Sequence, residues 1–96
     1  MGRKLATTRV NQRSRDEIKD ILREALRREF PHDTVDITDG YKGNIHVLVV
    51  SRKFDRMRTG AKKQDMLWTI IDSTGLTDEE KQKISMTVPM SPAEIV

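Results

Sequence analysis

The sequence predicts an α+β domain in which helices cover one face of a three-stranded sheet. Two segments have apolar residues at helical spacing, two alternate as strands do, and one short apolar run has the composition of a buried strand. They follow one another in the order helix, strand, strand, helix, short helix, strand. The long first helix needs a sheet to lie against, and the three strands supply it. We expect residues 1–13 to form a basic flexible arm and residues 14–96 to form one domain.

The first predicted helix begins after Ser14 and ends at Pro31. Ser14 and Glu17 have the spacing of a capping box, which satisfies backbone donors at a helix start. One apolar stripe runs along the helix through Ile18, Ile21, Leu22, Ala25, Leu26 and Phe30. Charged side chains occupy most other positions, so the helix is amphipathic and its stripe faces the core.

The next two strands form a predicted hairpin. Residues 34–38 alternate as a half-buried strand, and residues 44–51 contain the most apolar run of the chain. Residues 39–43 supply the turn and include Gly40-Tyr41-Lys42-Gly43. This G-x-x-G string with a basic residue inside is also the signature of the RNA clamp of KH domains. That clamp lies between two helices, so the position between two strands favours a hairpin turn.

A loop and a second helix follow. Residues 52–60 are predicted to form a loose turn that Phe54 and Met57 anchor to the core. The helix is expected over residues 61–72, with Gly75 as the residue that ends it. It buries the apolar side chains Met66, Leu67, Ile70 and Ile71. Trp68 on this helix has two interpretations: it packs partly in the core, or it lies at an edge that faces a partner, with Met57 and Met90 as further contacts.

The last part of the chain predicts a short helix, a third strand and a final turn. A second capping box, Thr77 with Glu80, begins a short helix through Gln82. Residues 83–88 alternate as a strand, and we expect Pro89 to end it. Ser91 followed by Pro92 is typical of a helix start and predicts one more turn through Glu94.

Charge is segregated along the chain, although the net charge is only +3. Residues 52–63 carry six bases and one acid, and residues 1–15 carry five bases and no acid. We call residues 52–63 the basic segment. Its bases are Arg52, Lys53, Arg56, Arg58, Lys62 and Lys63. Such a pattern favours an anionic partner. A phosphate backbone is one candidate, bound with strong salt dependence and little sequence preference. A solvated loop that only keeps a small domain soluble is the alternative.

Catalysis and metal binding have little support in the sequence. The chain has no cysteine, which excludes disulfides, thiolate metal sites and thiol catalysis. No nucleophile motif or phosphate loop is present, and we expect no enzyme activity. His46 is a weak metal candidate, because no second ligand stands at a useful spacing. Only Tyr41 is available to stack on bases, so sequence-specific RNA binding is not expected.

No apolar run is long enough for a membrane span and no signal peptide is evident, so the protein is expected to be cytoplasmic with no membrane partner.

Residues 15–94 resemble the BolA-like proteins. The resemblance rests on REFP at residues 28–31, VLVVS at residues 47–51, Phe54 followed by Lys62-Lys63, and SPAE at residues 91–94. It implies a class II KH-like fold in the order αββααβ with a short final helix. It also implies two roles. One is a stress- and morphology-linked transcription regulator that binds DNA through the basic segment and second helix. The other is a partner of a monothiol glutaredoxin in iron–sulfur trafficking.

The sequence departs from the BolA-like pattern where the family binds iron. The family's cluster-ligating histidine corresponds to Gln82, and Asn44 stands where many members carry a second histidine. A glutamine amide is a poor iron ligand, so sharing a 2Fe-2S cluster with a glutaredoxin is not expected, and no cofactor is expected in the isolated chain. His46, two residues beyond Asn44, is the conceivable substitute. The leading hypothesis is nucleic-acid binding, and a glutaredoxin adaptor is the alternative.

Overall fold

The structure, a computed structural model, describes residues 13–95 as three helices and three strands. They are α1 (Arg15–Glu29), β1 (Thr34–Asp39), β2 (Ile45–Val50), α2 (Gly60–Asp72), α3 (Asp78–Lys81) and β3 (Ile84–Met90). The strands lie in the order β1-β2-β3, with β1 antiparallel and β3 parallel to β2. This arrangement confirms the predicted α+β fold and its αββααβ order. Residues 1–12 of the predicted arm and Val96 lie outside the described residues.

The core lies between the helices and one face of the sheet. Along β2, Ile45, Val47 and Val49 are fully buried, whereas the alternating residues His46, Leu48 and Val50 are only half-buried. Successive side chains of a strand point to opposite faces, so the first set faces the helices. Helix α1 contributes the buried residues Ile18, Leu22 and Leu26, followed by its cap residue Phe30, and α2 contributes Leu67 and Ile71. The helices therefore cover one face and leave the other open.

Local caps form where the sequence predicts them. Ser14 accepts a hydrogen bond from the backbone of Glu17, whose carboxylate accepts one from the backbone of Ser14. Thr77 and Glu80 form the same reciprocal pair at the start of α3. Both capping boxes are thereby confirmed, and each fixes the direction in which the chain enters its helix.

The two predicted loops around β2 also form. The turn before it, Tyr41–Gly43, has Lys42 at φ 55° and Gly43 at φ 81°, so the G-x-x-G string serves a tight turn between strands. The turn after it, Arg52–Phe54, buries Phe54 completely against Phe30, with ring centroids 5.7 Å apart. Phe54 is thus the anchor that the sequence predicts.

The end of helix α2 is confirmed, whereas the predicted end of the third strand is wrong. Helix α2 ends at Asp72 with Ser73 as its cap, the hydroxyls of Ser73 and Thr74 donate hydrogen bonds to carbonyls of the last turn, and Gly75 follows with a φ of 86°. Strand β3 continues through Pro89 to Met90. The carbonyl of Met90 points toward β2, where it accepts a hydrogen bond from the Ser51 amide. The backbone groups of successive residues in a strand point to alternate sides, so the backbone nitrogen of Pro89 faces the outer edge of the sheet. A proline is tolerated there because no partner strand needs its missing N–H.

A bulge in β3 changes which residues face the core. Ile84 lies opposite Ile45, but Met86 lies opposite His46, so Ser85 is an extra residue. Beyond the bulge, Thr87 faces α2, where its hydroxyl donates a hydrogen bond to Gln64. Met86 and Val88 therefore lie on the open face, although the alternation of the sequence groups them with the buried Ile84.

Candidate nucleic-acid interface

The basic segment lies at the edge of the sheet where β2 and β3 both end. Parallel strands bring their carboxyl ends to the same edge, and a hydrogen bond of 3.0 Å from the Ser51 amide to the Met90 carbonyl joins them. The segment begins with the turn Arg52–Phe54 and continues into the first turn of α2. Because Phe54 is buried, its basic neighbours are held at the surface.

Two of the six bases have partners within the domain. The ammonium group of Lys53 donates a hydrogen bond to the carbonyl of Glu29 and lies 5.0 Å from the centroid of the Phe30 ring. Lys63 forms an ion pair of 2.8 Å with Glu94, and its side chain is only 13% exposed. Both lysines therefore contribute to holding loops in place, the first at the end of α1 and the second at the final turn.

The other four bases are Arg52, Arg56, Arg58 and Lys62. All four are exposed, and none forms an ion pair with another residue in the range 13–95. The acid within the segment, Asp55, is also exposed and forms no ion pair with a described residue. These four side chains are the part of the basic segment that is available to an anionic ligand.

The start of α2 adds to the positive potential. The first turns of α1 and α3 carry acids, which stabilise the positive end of a helix dipole, but the first turn of α2 carries none. Lys62 and Lys63 stand there instead, at some cost to helix stability. Thr59 caps the helix by accepting a hydrogen bond from the Lys62 amide. The arrangement is electrostatically unfavourable for an isolated helix and favourable for binding an anion.

A carboxylate of the chain already lies against this surface. One oxygen of Glu94 accepts hydrogen bonds from Lys63 at 2.8 Å and from the Ser91 amide at 2.7 Å. These contacts lower the pKa of Glu94 to about 2, and the hydrogen bond from Lys63 has the largest effect. Glu94 lies in the final turn, Pro92–Ile95, and ties it to α2. Lys63 is therefore neutralised within the domain.

The fold adds bases that are distant in the sequence. Because Lys53 reaches the carbonyl of Glu29, the basic turn lies beside the last turn of α1, which carries the exposed residues Arg27 and Arg28. Their helical spacing assigns them to a solvated face, and only the tertiary contact places them next to the basic segment. Arg28 forms a 4.0 Å ion pair with Glu24, so Arg27 is the base that this contact adds to the positive surface.

The exposed aromatic residue is far from this surface. Tyr41 is 77% exposed in the turn before β2, whereas the basic segment follows the other end of that strand. A six-residue strand spans about 20 Å at roughly 3.3 Å per residue. The geometry thus favours contacts to phosphates over stacking of bases at the basic segment.

The BolA-like resemblance relates Gln82, Asn44 and His46 to the positions where that family binds iron. No group of three or more histidine or acidic side chains among residues 13–95 is arranged to hold a metal ion. The His46 ring packs directly over Gly40, so closely that a β-carbon at Gly40 would clash with it. Gln82 is the exposed cap residue at the end of α3, and Asn44 is half-buried before β2.

An open pocket of about 480 Å³ lies beside Gln82, where α2, α3 and the start of β3 meet. Its lining residues are Trp68, Asp72, Asp78, Lys81, Gln82 and Ile84. Trp68 is half-buried and packs against the core while it also lines the pocket. Its partial core packing is confirmed, and its role at a partner-facing edge stays a prediction. Ion pairs of 3.0 Å and 3.5 Å join Lys81 to Asp72 and Asp78, and the hydrogen bond to Asp72 is the main cause that raises the pKa of Lys81.

Glu80 is a structural residue that the sequence reveals only as part of a cap. Its carboxylate accepts hydrogen bonds from the amide and the guanidinium group of Arg13, as well as from the Thr77 amide. Burial raises its pKa, but the hydrogen bonds from Thr77 and Arg13 outweigh burial and lower it. Arg13, the last residue of the predicted arm, is therefore anchored on α3. The sequence gives no signal for this pairing because 67 positions separate the two residues.

Comparisons with known proteins assign no family to this chain. No family model, curated protein or solved structure matches it. The BolA-like resemblance therefore rests on the residues that carry it. Within residues 13–95, no helix has the length and apolar composition needed to cross a membrane.

Proposed function

We propose that this protein is a non-enzymatic, BolA-like regulator that binds the phosphate backbone of nucleic acid, DNA in the first place, through its basic segment. The observation that carries the proposal is a run of four exposed bases, without described ion-pair partners, that leads into the positive end of α2. The resemblance supports a role in stress-linked transcription regulation in the cytoplasm. Both the charge and the family pattern indicate an anionic polymer as the ligand.

The six bases of the segment divide into two roles. Arg56 and Arg58 would bind phosphate oxygens with their planar guanidinium groups, and Arg52 and Lys62 would add charge. Lys53 and Lys63 would hold the surface in shape through their contacts with Glu29 and Glu94. Backbone contacts of this kind position a protein on nucleic acid and carry little sequence information.

The proposal can be tested by fluorescence anisotropy with a labelled DNA duplex of about 20 base pairs at several salt concentrations. In the variants Arg58→Gln and Lys62→Gln, the slope of log K against log salt should fall by roughly 0.9 for each phosphate that the protein no longer neutralises. Neutralising Lys62 and Lys63 together should flatten the slope by about the same amount as Lys62→Gln alone, because Glu94 already neutralises Lys63.

Lys83→Gln is the matched control. Lys83 is exposed and forms no ion pair with a described residue, and it precedes β3 at the opposite end of the sheet. Its substitution changes the net charge by the same amount but should leave the slope unchanged. Equal slopes for Lys62→Gln, Arg58→Gln and the unmodified protein would remove the basic segment from the interface.

The pocket beside Gln82 supports a second candidate, an adaptor for a monothiol glutaredoxin. Trp68 and Ile84 offer an apolar contact, and Asp72, Asp78 and Lys81 form a polar rim, as in many protein interfaces. A mixed interface predicts a shallow salt dependence. Titration with a cluster-loaded monothiol glutaredoxin, followed by visible circular dichroism and gel filtration, separates the two candidates. A stable complex would favour the adaptor. A new spectrum would show that this chain supplies a ligand, and substitution of His46 would then test whether it is that ligand.

A further inference from the structure

The open face of the sheet carries an apolar strip that no described element covers. The register places Leu48 and Val50 of β2 beside the residues of β3 that follow the bulge. The strip consists of Leu48, Val50, Met86, Val88 and Met90. Met86 is 50% exposed and the other four are half-buried. The β1 third of the same face is polar, with Thr34, Asp36 and Thr38 opposite Val50, Leu48 and His46. The apolar surface is thus a narrow band along β2 and β3.

The dimensions of the strip fit a single helix better than a second copy of the chain. Two strands about 4.8 Å apart make a band about 10 Å wide, and five residues at about 3.3 Å make it about 16 Å long. An α-helix is about 10–12 Å wide, and about three of its turns cover 16 Å. Beyond the strip the face is polar on the β1 side, so a second copy laid face to face would also have to bury Thr34, Asp36 and Thr38, whereas a single helix covers the strip alone.

Bases lie at both ends of the strip. Arg52 follows β2 at one end, whereas Lys42 and Lys83 precede β2 and β3 at the other end. All three are exposed, and none has an ion-pair partner among the residues the structure describes. Asp36 at the β1 side is the single acid that the register places on this face. A helix that lies along the strip thus meets positive charge at both of its ends.

We propose that the apolar strip binds an amphipathic α-helix of a partner protein, with aliphatic residues toward Leu48 and Val88 and acidic residues toward Arg52 and Lys83. The helix would cover the open face in the way that α1 and α2 cover the other face. Its aliphatic residues would recur at three- and four-residue spacing, as in other helices that bind apolar surfaces. The acidic residues would supply orientation and salt sensitivity. This site shares Arg52 with the proposed nucleic-acid surface, but its apolar residues and Lys83 lie outside that surface.

The test uses the full chain with labelled methyl groups and a synthetic 15-residue helical peptide as the probe. The peptide carries leucine at positions that form one stripe and glutamate at most others. We expect it to shift the methyl resonances of Leu48, Val88 and Met86 and to leave those of Ile18 and Leu22 unchanged. A peptide of the same composition in scrambled order, without the stripe, should produce no such shifts. A peptide with lysine in place of glutamate should bind at least tenfold more weakly.

Two variants make the result specific. Met86→Glu places a charge on an exposed residue of the strip and should weaken peptide binding at least tenfold without unfolding the domain. Thr69→Glu adds the same charge on the exposed surface of α2 and should leave binding unchanged. Equal binding of the striped and scrambled peptides, or no shifts in the strip, would overturn the proposal. Concentration-dependent shifts of the strip without peptide would also overturn it, because they would identify a second copy as the occupant.

Discussion

Residues of the same type that lie close together in the sequence differ in burial and pairing in this protein. The clearest example is the difference in burial between the two faces of β2. Val47 points toward the helices and is fully buried, whereas Val50 lies on the open face and is half-buried. Two further pairs repeat the contrast. Glu80 is buried and hydrogen-bonded while Glu79 is exposed, and Lys63 is paired with Glu94 while Lys62 has no described ion-pair partner. In each pair one residue is buried or paired within the fold, and the other is partly or fully exposed to solvent.

The largest difference is expected between Val47→Ala and Val50→Ala. Val47→Ala removes two buried carbons and leaves a cavity, so the free energy of unfolding should fall by about 2–3 kcal/mol. Val50→Ala should cost less than about 1 kcal/mol, because its side chain is partly exposed already. Urea denaturation of both variants measures the difference. Equal losses would show that the open face is as tightly packed as the helix-covered face.

An intermediate difference is expected between Glu80→Gln and Glu79→Gln. The first substitution removes the charge that accepts hydrogen bonds from Arg13 and Thr77, so it should cost about 1–2 kcal/mol of unfolding free energy. The second changes the same charge at an exposed position and should stay within about 0.5 kcal/mol. Thermal and urea denaturation at pH 7 provide the measurement. If Glu79→Gln destabilises as much, the loss of helix-dipole stabilisation explains both results.

The smallest effect is expected for Glu94, and it should depend on pH. The hydrogen bond from Lys63 lowers the pKa of Glu94 from 4.5 to about 2. A carboxylate with a lowered pKa contributes stability above its unfolded pKa and loses that contribution as the pH falls. The urea midpoints of the unmodified protein and of Glu94→Gln should therefore differ above about pH 4.5 and converge as the pH falls toward 2. A difference that persists at pH 2 would mean that the charge on Glu94 is not what stabilises the final turn.

Local sequence patterns are sufficient to predict most elements of the fold. The stripe of α1, the two capping boxes and the hairpin around residues 40–43 depend on contacts between residues that are close along the chain. Periodicity and turn chemistry report such contacts directly. The basic segment is visible for the same reason, because its charges are close together and its anchor Phe54 lies among them.

Local sequence patterns do not predict structure that depends on a partner residue distant in the sequence. The bulge at Ser85 depends on how β3 aligns with β2, and it moves Met86 and Val88 to the open face against their alternation. Pro89 lies inside a strand because β3 is at the edge of the sheet. Neither fact can be read from a strand alone, since both depend on which strand is its neighbour.

Periodicity, capping and composition are therefore enough to locate the helices, the hairpin and the positive charge of this protein. Which of its charges are available to a ligand depends instead on the folded chain. Folding joins Lys63 to Glu94 across 31 positions and Arg13 to Glu80 across 67. It also brings the end of α1 beside the basic turn through Lys53. These pairings are invisible in the sequence because burial and ion pairing depend on distance in space, whereas a sequence records only distance along the chain.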